Sequence, residues 1–88
     1  MSRNGSTDTD FIEHFLYFPE RSNADNVAKR LQAKGWRVQV TKGADGEKWL
    51  VFAIQPSPIE DEIERLWWEL TRLAKEFDGE YDGYGRPA

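Results

Sequence analysis

FIEHFLYFPERSNADNVAKRLQAKGWRVQV, residues 11–40, decides the architecture, because its hydrophobic period changes twice within one short run. Phe11 to Phe18 is dense in aromatic side chains, with Ile12, His14, Leu16 and Phe18 on one face and Phe11, Glu13, Phe15 and Tyr17 on the other. That pattern predicts a strand covered on much of both faces. Pro19 ends it, and Ser22 offers an N-cap with Asp25 near the positive end of the helix dipole. Ala24, Val27, Ala28 and Leu31 then fall at i, i+3, i+4 and i+7, a stripe of mostly small apolar residues that predicts a helix lying close to a sheet. Gly35 supplies its left-handed C-terminal position. Trp36, Val38 and Val40 next alternate with Arg37, Gln39 and Thr41, the period of a strand wet on one side and so placed at an edge.

Toward the C-terminus, Gly43 to Gly46 with its Asp45-Gly46 pair reads as a hairpin turn. The strand after it, Lys48 to Gln55, carries the unbroken apolar run Trp49 to Ile54 and should be central. Ser57-Pro58-Ile59-Glu60 has the form of a capping box with proline at the first helical position, and predicts a long helix starting there. On a helical wheel Ile59, Ile63, Leu66, Trp67, Leu70, Ala74 and Phe77 share the buried face, with Leu73 at its border. Trp68 falls on the polar side with Asp61, Glu64, Arg65 and Arg72. Asp78-Gly79 stops the helix, and Glu80 to Tyr84 suffices for a short closing strand. The order β-α-β-β-α-β, with right-handed crossovers, predicts an α+β ferredoxin-like fold: a four-stranded antiparallel sheet in the order 4-1-3-2 with two helices on one face.

Toward the N-terminus, Met1 to Asp10 has no periodicity and reads as a flexible leader, so residues 11–85 are expected to form a single domain with a tail at 86–88. The 88-residue chain has four Trp, three Tyr and five Phe, enough for a core, and no Cys, which excludes disulfides and thiolate chemistry. No run is long or apolar enough to span a membrane, and the start is too polar for a secretory signal, so the cytoplasm is the expected compartment. The formal net charge of −4 is unevenly spread. Residues 21–48 carry a local +4 and residues 59–82 a local −6, an acidic C-terminal half poorly suited to phosphate backbones and better suited to a basic protein partner.

Constellations for catalysis are weak. His14 has no Ser, Cys or metal-ligand companion at a recognised spacing and reads as structural. Asp78, Glu80, Asp82 and Gly83 imitate the opening of a calcium loop, but the bidentate Glu at its twelfth position would fall beyond Ala88. Glu60 and Glu64 lie one helical turn apart and Asp61 faces Arg65, which gives surface pairing rather than acid–base chemistry. No metal site, cofactor or enzymatic activity is therefore expected. Phe15 and Tyr17 on the open sheet face leave an RNA-binding platform as an alternative, and the same face is a candidate homodimer surface. Trp68 is a candidate binding anchor or, alternatively, stacks on Arg65 or Arg72 within the monomer.

HFLYFPERSNADNVAKRLQAKGWRVQV (14–40), KWLVFAI (48–54) and above all LAKEFDGEYDGYG (73–85) resemble the RraB family of regulators of ribonuclease E activity. The resemblance implies a ferredoxin-like, non-catalytic protein that binds the endoribonuclease through its scaffold region and lowers RNA cleavage. An arginine-rich scaffold segment would suit Glu60, Asp61, Glu64 and Glu69, with Trp68 as anchor, and the most family-specific segment adds Tyr81, Asp82 and Tyr84 as candidate partner-binding residues. Tyr81 has packing as its competing role. Tyr84 stands where the family often has Trp and Asp78 where it often has Gly, which keeps open a related interaction domain recruited to another protein partner.

Overall fold

The computed structural model describes residues 11–56 and 58–86. The leader expected at 1–10, the capping residue Ser57 and tail residues 87–88 lie outside the described residues. Four strands, β1 (Phe11–Phe18), β2 (Arg37–Lys42), β3 (Trp49–Pro56) and β4 (Glu80–Gly85), form one antiparallel sheet in the order β2-β3-β1-β4. This is the order expected, with the two most apolar strands in the centre. Along β1, Ile12, His14, Leu16 and Phe18 are buried while Phe11, Glu13, Phe15 and Tyr17 are only partly covered. The period-2 pattern thus turns one face of the strand to the helices.

Helix α1 (Arg21–Gln32) lies mainly over β2 and β3, and α2 (Ile63–Glu76) over β4 and β1. Both cover the same face, because Ala24, Val27, Ala28 and Leu31 of α1 join Leu70 and Ala74 of α2 in one core with Leu16, Phe18, Val51, Ala53 and Tyr81 of the sheet. The small residues of α1 let its backbone approach the sheet. Burial of each large apolar side chain here stabilises the fold by about 1.5 to 3 kcal/mol.

The helix starts depart from expectation. Helix α1 begins at Arg21, and its N-cap is Glu20 with no side-chain capping bond, so Ser22 sits inside the first turn. Before α2, Ile59 is extended (φ −101°, ψ 118°) and 57 % exposed, and a single 3₁₀ turn, Glu60–Glu62, precedes the α-helix. Ile59 is therefore outside the helix and outside its buried face. Pro58 still precedes a helical turn, but the fixed proline torsion does not extend to Ile59, and acids occupy the positive end of the helix.

Both helices end in the same motif. In α1, Gly35 is left-handed (φ 91°), with Gly35 N–H donating to Gln32 C=O and Trp36 N–H to Leu31 C=O. In α2 the corresponding left-handed residue is Asp78 (φ 62°), with Asp78 N–H donating to Lys75 C=O and Gly79 N–H to Ala74 C=O. These paired bonds satisfy the last helical carbonyls. Gly79 answers a different need: a Cβ there would lie 2.2 Å from the Phe18 ring and 2.5 Å from the Tyr17 carbonyl oxygen.

Candidate functional site

Strand β4 carries the irregularity that shapes the surface next to α2. Its pairing with β1 shifts between His14↔Tyr84 and Leu16↔Tyr81, so one extra residue sits in β4 at Asp82-Gly83. Gly83 has φ 97°, the backbone that a bulge of this kind demands and a side chain resists. In a regular strand two residues three positions apart face opposite sides; the bulge turns Tyr81 and Tyr84 to the same side. Both pack edge-on to Trp67, at centroid distances of 5.2 and 6.1 Å.

Behind these rings His14 is 1 % exposed. Its Nε2–H donates to Gln55 Oε1 at 2.9 Å, which leaves Nδ1 to accept the Tyr81 hydroxyl at 2.8 Å, and Trp36 stacks on it with centroids 5.1 Å apart. Burial lowers the His14 pKa, against a smaller opposite effect of the Gln55 bond, and burial followed by the nearby Tyr84 raises that of Tyr81. Each group thus stays neutral with its polar atoms bonded inside the fold. Among the described residues no cluster of acids and histidine can hold a metal ion. His14 and Tyr81 are both buried and bonded to each other.

The remaining candidate residues fall into three places. Glu60, Glu64 and Tyr84 meet in a cleft of about 340 Å³ between the start of α2 and β4, together with Ile63 and Trp67. Trp67 belongs to the face expected to be buried, yet it is 39 % exposed, where α2 packs against β4, the edge strand of the sheet. It is the site residue that the wheel missed; the bulge glycine beside it was the available signal. Arg86, just past β4, forms a salt bridge with Glu60.

Trp68 and Glu69 lie on the outer side of α2, in a groove shared with Arg65, Arg72, Leu73 and Glu76. Trp68 is 65 % exposed. The cation–π contacts of the described residues lie elsewhere: Arg21 and Lys42 cover Trp49, and Arg30 covers Phe77. Arg65 pairs with Glu62 at 3.3 Å, not with Asp61, because the 3₁₀ turn changes the offset; Asp61 is exposed. Asp82 is also exposed, and lines a shallow depression with Tyr17, Asp45 and Lys48 on the other face of the sheet.

On the open face Phe15 and Phe52 pair with centroids 5.5 Å apart. Three of the seven cations in the basic stretch, Arg21, Arg30 and Lys42, lie over aromatic rings. No helix among the described residues is long and apolar enough to cross a membrane.

Against known proteins, residues 6–85 match the family described as regulator of ribonuclease activity B, RraB. No curated protein and no solved structure matches the chain.

Proposed function

The chain belongs to the RraB family of regulators of ribonuclease activity, and from that membership we propose that it acts without turnover of its own, by binding ribonuclease E in the cytoplasm and slowing RNA cleavage. The family match over 6–85 carries this reading. The surface supports it: Glu60, Asp61, Glu64 and Glu69 are exposed on the 3₁₀ turn and α2, and Glu69 shares a groove with the exposed indole of Trp68. An exposed tryptophan on a helix whose surrounding surface carries these acids suits a basic peptide segment, where the ring supplies contact area and the acids steer the encounter. The scaffold region of the nuclease is the proposed target.

The test is a cleavage assay with purified ribonuclease E and a structured RNA. Added chain should slow cleavage, the chain alone should leave the RNA intact, and Trp68→Ala should weaken inhibition by about ten-fold or more while leaving the fold unchanged. Undiminished cleavage at saturating chain would reject the proposal, and full inhibition by Trp68→Ala would reject the outer face of α2 as its surface.

A further inference from the structure

The cleft between α2 and β4 already meets one guanidinium, that of Arg86 on Glu60. Its remaining walls are the edge-to-face pair Trp67 and Tyr84, inclined at 79°, over Ile63, and its second carboxylate is Glu64. Among the described residues Glu64 has no salt-bridge partner. Tyr84 is 40 % exposed, so both aromatic rings present surface to an incoming group.

A planar cation that stacks on an aromatic face while donating to carboxylates fits this arrangement better than an ammonium, which is compact and more strongly hydrated. We infer that the cleft receives an arginine side chain from a basic partner segment, with Glu64 as its counter-charge, and that Arg86 is an internal stand-in competing for the same rim. The local −6 of residues 59–82 provides the charge complementarity that brings such a segment to this edge. The inference rests on the reading of the chain as a protein-binding regulator and gives that binding a specific pocket. Arg86 and Glu60 are both surface groups, with side chains 45 % and 74 % exposed, so their pairing is weak enough to be displaced.

The probe is a hexa-arginine peptide titrated into the full chain at low salt, followed by the indole N–H signals in ¹⁵N NMR, each assigned by substitution. The Trp67 signal should shift on binding, and hexa-lysine should bind more weakly. Glu64→Gln should weaken hexa-arginine binding about five-fold, and Arg86→Ala should tighten it about two-fold by freeing Glu60. Glu47→Gln removes the same charge on the β2–β3 hairpin and should have little effect. A shift confined to Trp68, or Glu64→Gln and Glu47→Gln behaving alike, overturns the inference. Measuring ribonuclease E binding with the same variants separates the two readings: retained nuclease binding without the peptide response rejects the cleft alone, whereas a peptide response without nuclease binding upholds the cleft and rejects the nuclease as partner.

Discussion

His14 shows how one residue acquires its role from partners far along the chain. Its place on the Ile12, Leu16 and Phe18 face was legible from alternation, and so was its structural character. Its bond to Tyr81, 67 residues away, was not, because that contact depends on how β4 registers on β1. Tyr81→Phe leaves Nδ1 buried without its donor, and should cost about 1 to 3 kcal/mol in urea unfolding. The same network makes stability depend on pH. Burial disfavours the imidazolium, so the unfolded chain takes up the proton more readily than the folded one. Stability is therefore complete above the unfolded pKa of about 6.5 and declines as pH falls through it toward the lower folded value. Urea midpoints should drop between about pH 7.5 and pH 5.5, and His14→Phe, though less stable, should flatten that part of the profile.

The elements were legible where one local signal dominated. Alternation placed β2 at the edge, the continuous run placed β3 inside, and the small-residue stripe of α1 announced its close packing. The start of α2 was not, because the proline and serine signals name a turn without saying whether it will be 3₁₀ or α, and the shifted start moved Arg65 from Asp61 to Glu62. The β4 bulge was likewise hidden in EYDGYG, where only Gly83 hinted that two tyrosines would share a side. The two helix ends supply a paired test. Asp78 holds the left-handed position that Gly35 fills in α1, so Asp78→Gly should stabilise the fold by about 0.5 to 1 kcal/mol by relieving the Cβ clash. Gly79→Ala should do the reverse and cost about 2 kcal/mol or more, since its methyl group would overlap Phe18 and the backbone of β1. Thermal melts of the two variants should move in opposite directions.

Across the whole molecule the charge asymmetry visible in the sequence acquires two different meanings. Arg21, Arg30 and Lys42 of the basic stretch lie over aromatic rings and help cover the core, whereas the acids around α2 stay in water. The sheet positions α2 at its β4 edge, with Trp67 exposed on the side toward β4 and Trp68 on the outer, polar side. The helical candidates were therefore legible as an acidic, aromatic surface with Trp68 on its outer side, but the cleft that joins Glu60 and Glu64 to Tyr84 required the β4 bulge. A partner approaching this edge meets the exposed acids of the 3₁₀ turn and α2, which makes salt a direct probe of the contact. Calorimetry of the purified chain with ribonuclease E, full-length and scaffold-deleted, at two salt concentrations tests the central claim. Binding should weaken as salt rises and be lost with the scaffold; no binding to either form, or equal and salt-independent binding to both, would contradict regulation through an acidic face.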